Sequence, residues 1–217
     1  VDDILLTEIR GPAAILTMNR PDKYNALSDD LLQAIGDKVR ELDGDMAIRG
    51  IVLTGTDKYF STGADLGSAL KAQDLPSTHA MLSHFEHCNR AIERSRKPVI
   101  AAINGFCLTG GLEVALACDI RIAGSGSKFG VTSSKIGSVA GAGGTQRLPR
   151  AVGKEWAKDL LFSADFIDAE TARDIGLISR VVEPGQVLAT ALARVDAYAL
   201  RAPLSVWYAK IAVNSGM

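Results

Sequence analysis

The sequence predicts a layered α/β domain in which helices cover both faces of largely parallel sheets. Three observations carry this expectation. Runs of strand length, such as 48–54 and 98–103, are apolar at consecutive positions rather than at alternate ones, the pattern of strands buried on both faces. These runs alternate with segments of helical periodicity. Two of them are each followed by a glycine-rich turn, Phe60-Ser61-Thr62-Gly63-Ala64-Asp65-Leu66 and Asn104-Gly105-Phe106-Cys107-Leu108-Thr109-Gly110-Gly111-Leu112-Glu113.

Taken in order, residues 4–9 and 13–19 read as strands joined by Gly11-Pro12, and 20–25 as a loop. Ser28 is placed to cap a helix that carries Leu31, Leu32, Ile35 and Val39 at helical spacing. The buried strand at 48–54 leads into the first glycine turn. Residues 67–77 form a polar stretch expected to be mobile, before a helix over 78–94. The strand at 98–103 leads into the second glycine turn and a helix over 110–117. Strands follow at 118–123 and 128–131. Residues 137–144 form a glycine-rich loop, and Thr145 is a candidate cap for the helix beyond it. Helical spacing resumes over 156–161 and over 168–175, the latter with Asp168 as N-cap. A last strand at 178–182, a helix over 187–200 and a helix opened by Pro203 complete the chain. Three sharp crossovers of this kind predict right-handed β-β-α turns stacked on one another.

With 217 residues, 47% of them hydrophobic, the chain is one large domain or a domain with a small appendage. A formal net charge of -1 offers no electrostatic case for nucleic acid or an anionic membrane as partner. Cys88, Cys107 and Cys118 are an odd, sparse set and not a disulfide framework, which fits a reducing, cytoplasmic setting. The apolar run at 98–103 is far too short to span a bilayer. Val1-Asp2-Asp3-Ile4 lacks the basic region and apolar core of a signal peptide.

The chemistry lies in the two glycine turns. Each can present an unpaired backbone N–H at the end of a buried strand, and two such donors aimed at one ligand atom make an oxyanion hole. Gly63 permits a sharp turn or a positive φ. The Gly110 N–H stands at the positive end of the following helix, where negative charge is favoured. Glu113 is a lone carboxylate in the apolar run Gly111-Leu112-Glu113-Val114-Ala115-Leu116-Ala117, expensive to bury unless it is paired or its pKa is adjusted. Burial raises that pKa and the helix N-terminus lowers it. The plainer alternatives are a tight turn capped by Asp65, close helix–sheet packing at Gly105, Gly110 and Gly111, and a structural bond for Glu113. Together the two turns and the carboxylate outline an enzyme acting on a carbonyl compound.

Other chemistries find less support. His79, His84 and His87 lack a second ligand group at metal-site spacing, so no metal is expected. Gly141-Ala142-Gly143-Gly144-Thr145 has neither the Lys-Ser/Thr ending of a phosphate loop nor a dinucleotide fingerprint. Ser61, Ser133 and Ser134 sit in no nucleophile elbow. Cys107 has no histidine partner and reads as a small apolar residue.

These residues resemble the crotonase, or enoyl-CoA hydratase/isomerase, superfamily. The resemblance rests on Asn19-Arg20-Pro21 with Asn25-Ala26-Leu27, then residues 60–66, 98–113, Cys118-Asp119, Gly141-Ala142-Gly143-Gly144-Thr145-Gln146-Arg147-Leu148 and 172–182, in this order across nearly the whole chain. It implies the crotonase-like (ClpP/crotonase) fold, repeated β-β-α units in two roughly perpendicular sheets with helices around them. It places the core domain at 1–200 and the start of a C-terminal helical region, incomplete here, at 201–217. It implies an acyl-CoA thioester substrate of fatty acid metabolism, no cofactor beyond the coenzyme A of that substrate, and a homotrimer or homohexamer. By the same resemblance the N–H groups of Ala64 and Gly110 hold the thioester oxygen. Lys23, Ala26, Ala64, Asp65 and Leu66 lie along the CoA, and Glu113 is the catalytic carboxylate.

Two departures stand out. The hydratases carry a second glutamate in a Pro-Glu pair where this chain has Thr132-Ser133, and Ser133 can position water but cannot act as an acid or base near neutral pH. Thr109 stands where a third glycine is common. The resulting expectation is an enoyl-CoA hydratase that adds water to a 2-enoyl-CoA with Glu113 as its main base. The alternatives are another acyl-CoA reaction of the superfamily (isomerisation, decarboxylation or C–C cleavage) and a non-catalytic acyl-CoA-binding or assembly protein.

Overall fold

The computed structural model describes residues 4–71 and 74–216. Expectations that touch residues 1–3, 72–73 and 217 lie outside the described residues. Strand β1 (Leu5–Arg10) turns at Gly11, φ 55°, into β2 (Ala13–Met18) and pairs with it antiparallel. β1 is an edge strand and exposes all but Leu5, whereas β2 is largely buried. A 3-10 turn at Pro21–Lys23 leads to α1 (Asp29–Asp43), where the Leu31 N–H donates to the Ser28 hydroxyl as the sequence predicts. Its apolar stripe, Leu31, Leu32, Ile35 and Val39, is buried.

Then come β3 (Gly50–Thr54), β4 (Tyr59–Ser61), α2 (Leu66–Lys71) and α3 (Leu75–Arg94). The pattern repeats with β5 (Val99–Ile103), β6 (Phe106–Leu108) and α4 (Gly110–Ala117). A third repeat has β7 (Ile120–Gly124) and β8 (Lys128–Gly130), a 3-10 turn at Ser133–Ile136, and the long helix α5 (Gly144–Ser163). The chain finishes with β9 (Ile167–Asp168), α6 (Ala169–Asp174), β10 (Arg180–Val182), α7 (Val187–Ala199) and α8 (Pro203–Ser215).

A six-stranded sheet has the order β1-β2-β3-β5-β7-β10 and is parallel beyond the first hairpin. A four-stranded sheet has the order β4-β6-β8-β9. Each repeat therefore sends its first strand to the large sheet and its second to the small one. Because β4 pairs parallel with β6, the two glycine turns that follow these strands are brought side by side. α1, α3, α4 and α5 contribute to one core, while Val187, Ala191 and Val195 of α7 pack with Val52, Ile100, Ala102 and Ile122 in a second. Cys88, Cys107 and Cys118 are free and buried, and burial pushes all three thiols up. Among the described residues no helix is long and apolar enough to cross a membrane.

The sequence does not predict one helix, and two local expectations are corrected. Residues 66–71, at the start of the polar stretch expected to be mobile, are helical, and the Asp65 carboxylate accepts the Gly67 N–H at 2.8 Å, satisfying a donor at the start of α2. α3 starts three residues early, at a capping box in which Ser77 N donates to Asp74 Oδ1 (2.8 Å) and Asp74 N to Ser77 Oγ (3.2 Å). Thr145 does not cap α5. That position belongs to Gly143, at φ 108°, with no side-chain cap, and a break at Gly153 (φ 78°, ψ 164°) explains why helical spacing is legible only beyond it.

Candidate active site

The two glycine turns meet through their backbones. Leu27 bridges the first turn: its N–H donates to the Gly63 carbonyl (2.8 Å) and its carbonyl accepts the Asp65 N–H (2.9 Å). The intervening Ala64 N–H is left out of that ladder, on an exposed residue. Gly110 opens α4, and the first N–H groups of a helix have no intrahelical partner. A Cβ on Gly110 would stand 3.2 Å from Ala64 N, and one on Gly63 would stand 3.2 Å from Gly110 N. Glycine at 63 and 110 is thus what lets the two donors stand together.

The peptide that carries the Gly110 N–H is set by Thr109, which has φ 46° and ψ -116° and donates its own N–H to the Gly130 carbonyl at 2.8 Å. One turn further along α4, Glu113 is 4% exposed among residues that are all buried. Desolvation lifts its carboxyl to about 7, against the opposing pull of the Gly144 and Ala142 N–H groups and the Arg147 charge. The Gly144 N–H donates to Glu113 Oε1 at 2.7 Å. The loop that supplies these donors is itself held: Asn89 Nδ2 (2.9 Å) and Arg147 Nη1 (3.1 Å) both donate to the Ala142 carbonyl, and Arg147 Nε donates to Glu93 at 2.6 Å. A cleft of about 450 Å³ runs between α3 and this loop, lined by Leu82, Ser83, Glu86, Asn89, Ala142 and Arg147.

The remaining residues singled out from the sequence fall as follows. Lys23 is exposed at the end of its 3-10 turn, and its carbonyl accepts the Ala26 N–H at 2.9 Å. Ala26 precedes the Leu27 bridge, so Lys23 and Ala26 lie on the same edge as Ala64, Asp65 and the first residue of α2, Leu66. Ser133 is 5% exposed, and its hydroxyl has no hydrogen-bond partner among the described residues. His87 pairs with Asp37 at 2.9 Å, and the described residues contain no cluster of His, Cys, Asp and Glu fit for a metal.

Sequence reasoning missed Arg20 and Gly144 as individual residues. Arg20 Nη2 pairs with Asp65 Oδ2 at 2.9 Å and Nη1 donates to the Ala26 carbonyl, tying the loop of Lys23 and Ala26 to the first glycine turn. Both lie in motifs the sequence displays, Asn19-Arg20-Pro21 and the run from Gly141 to Leu148, but their partners are 45 and 31 residues away.

A buried carboxyl of raised pKa thus lies one helical turn from Gly110, whose amide nitrogen stands beside the Ala64 turn. The family model for enoyl-CoA hydratase/isomerase matches residues 8–217, and the chain belongs to that family, with its crotonase fold. It is 40% identical to the short-chain-enoyl-CoA hydratase of Clostridium acetobutylicum over 98% of this chain and 82% of the relative. It is also 40% identical to the crotonyl-CoA hydratase of Syntrophomonas wolfei, again over 98% of this chain and 82% of the relative. The crystal structure of an enoyl-CoA hydratase from Bacillus anthracis superimposes with a TM-score of 0.93 at 32% identity, covering 98% of this chain and 83% of that one.

Proposed function

We propose that this chain is an enoyl-CoA hydratase, adding water across the double bond of a 2-enoyl-CoA thioester. The observation that carries this reading is the buried Glu113 carboxyl, lifted to about 7 and held beside the paired Ala64 and Gly110 turns. The two N–H groups receive the thioester oxygen, on which negative charge grows as the β-carbon is attacked. Ionised Glu113 takes a proton from water while the hydroxide oxygen bonds to the β-carbon, and the electrons of the double bond move to the enolate. Protonated Glu113 then returns that proton to the α-carbon, so the enzyme ends as it began. Ser133 orients the water through its unengaged hydroxyl.

Lys23, Ala26, Ala64, Asp65 and Leu66 flank the coenzyme A, and no cofactor is required beyond it. The assembly is a homotrimer or homohexamer, which light scattering at micromolar concentration checks. Three buried free cysteines fit a reducing, cytoplasmic setting.

The test is turnover of crotonyl-CoA and longer 2-enoyl-CoAs by wild type, Glu113→Gln and Ser133→Glu. Hydration by wild type and a loss of about 10²–10⁴-fold in Glu113→Gln are expected. A faster Ser133→Glu variant identifies the missing second carboxylate as what limits the rate. Tight acyl-CoA binding without hydration of any 2-enoyl-CoA moves the reading to another acyl-CoA reaction or to a binding protein; among those reactions Ser133 favours decarboxylation or C–C cleavage over isomerisation, whose base commonly occupies that position.

A further inference from the structure

Two positions at which this chain departs from the hydratase pattern touch each other. Thr109 Oγ1 and Thr132 Oγ1 are 2.8 Å apart, and the Thr132 N–H donates to Thr109 Oγ1 at 3.1 Å. Thr109 has a φ of 46°, in the region that favours glycine and that a β-branched residue occupies only when its surroundings impose it. The backbone on one side of Thr109 is fixed by the bond from its N–H to the Gly130 carbonyl, and on the other by the bond from Glu113 N to its carbonyl, 2.9 Å. The ψ of Thr109, -116°, turns the peptide plane that contains the Gly110 N–H. Thr132 thus holds the side chain of the residue whose ψ sets the direction of that donor.

We propose that Thr109 and Thr132 form a positioning pair: the Thr132 hydroxyl locks Thr109 in its glycine-like conformation and so aims the Gly110 N–H at the thioester oxygen. This rests on the reading of the Gly110 N–H as an oxyanion donor. A glycine at 109 reaches the same φ without a side chain to hold, but also without a tether. Here the tether runs to the residue preceding Ser133, so the turn that polarises the substrate and the segment that faces its water are coupled by the hydroxyl pair together with the Thr132 N–H bond to Thr109 Oγ1.

The experiment compares wild type with Thr132→Val, Thr132→Ser and the double variant Thr109→Gly/Thr132→Val. The readouts are kcat and KM for crotonyl-CoA, and the infrared carbonyl stretch of bound butyryl-CoA labelled at the thioester carbon. Thr132→Val should lower kcat by about 10-fold or more with little change in KM, because a misaimed donor costs the transition state more than the ground state. The carbonyl band should move back towards the frequency of free butyryl-CoA. Thr132→Ser, which keeps the hydroxyl, should match wild type. The double variant should regain both rate and band position, since glycine adopts the required φ unaided. A fall in thermal stability alone, with kcat and band unchanged, overturns the proposal, and so does a double variant no better than Thr132→Val. If Thr132→Val does not fold, failure of the folded double variant to lower the carbonyl stretch as wild type does overturns it equally. A wild-type protein that binds butyryl-CoA without lowering the stretch instead removes the oxyanion-hole reading itself.

Discussion

Gly144 donates its backbone N–H to Glu113 Oε1 at 2.7 Å, and there is no room at 144 for a side chain. A Cβ there would stand 2.9 Å from that same oxygen, 3.1 Å from Glu113 Cγ and 2.8 Å from the Ala140 Cβ. The glycine loop thus fixes where the carboxylate lies as well as lowering its pKa. Gly144→Ala should push the carboxylate aside and reduce kcat for crotonyl-CoA by about 10²-fold, the scale of a misplacement near 1 Å. The Kd for a saturated acyl-CoA should hold, because the Ala64 and Gly110 donors are untouched. Stopped-flow turnover and calorimetry separate the two.

The pKa of Glu113 fixes a pH dependence. In the proposed role of base it must be ionised, so kcat/KM for crotonyl-CoA should fall tenfold per pH unit below about 7 and level off above it. The same shift links to stability with the opposite preference. The folded protein holds the Glu113 proton up to about 7, the unfolded chain only to about 4.5, so the folded state binds more protons between those values. The contribution is fully present below the unfolded pKa and is lost as pH rises through 7, amounting to about 3 kcal/mol. Glu113→Gln should remove it, so the stability difference between variant and wild type should grow in the variant's favour from pH 4 to pH 8. Denaturant titrations across that range measure it.

Arg20 and Asp65 should matter for binding more than for chemistry. Burial alone would raise the Asp65 carboxyl, but the Arg20 guanidinium and the Gly67 and Ser68 N–H groups outweigh it and hold the carboxyl below its ordinary value. The pair connects the Lys23–Ala26 loop to the turn of Ala64. Asp65→Asn keeps an acceptor for Gly67 but ends the ion pair. KM for crotonyl-CoA should rise several-fold, with kcat within about threefold of wild type. Arg20→Lys should behave in the same way, because lysine cannot hold Asp65 and the Ala26 carbonyl with one planar fork.

Much of this architecture is legible in the chain because it is local. The consecutive apolar residues of β3 and β5, the Ser28 cap and the all-apolar setting of Glu113 are patterns within ten residues of one another. Strands β4, β6 and β9 are two or three residues long, too short to display a period, and read as parts of turns or not at all. The contacts that shape the site are long-range: Gly144 to Glu113, Arg20 to Asp65, Thr132 to Thr109. Nothing in local spacing distinguishes Gly144 from Gly143 or Gly141. Only the fold, by laying the start of α5 against α4, selects which amide reaches the carboxylate.

Lys210 and Asp119 offer the clearest stability test. α8 has no fully buried residue, so apolar packing gives it a weak hold on the domain. Its anchor is Lys210, whose ammonium donates to Asp119 Oδ2 (2.8 Å), the Ile92 carbonyl (2.8 Å) and the Lys97 carbonyl (3.1 Å), with the side chain 7% exposed. Asp119 Oδ2 also accepts the Val99 N–H at 2.7 Å, at the start of β5. Burial raises the Asp119 carboxyl even with Lys210 beside it, so removing the lysine leaves a poorly solvated charge. Lys210→Met should cost about 3–5 kcal/mol. Amide exchange should accelerate first in 203–215, since that helix can detach without opening the core. Lys210→Met/Asp119→Asn should recover part of the loss, because asparagine still accepts the Val99 N–H while no charge is left stranded. If the double variant is as unstable as the sum of the two single ones, the ion pair is not what holds α8.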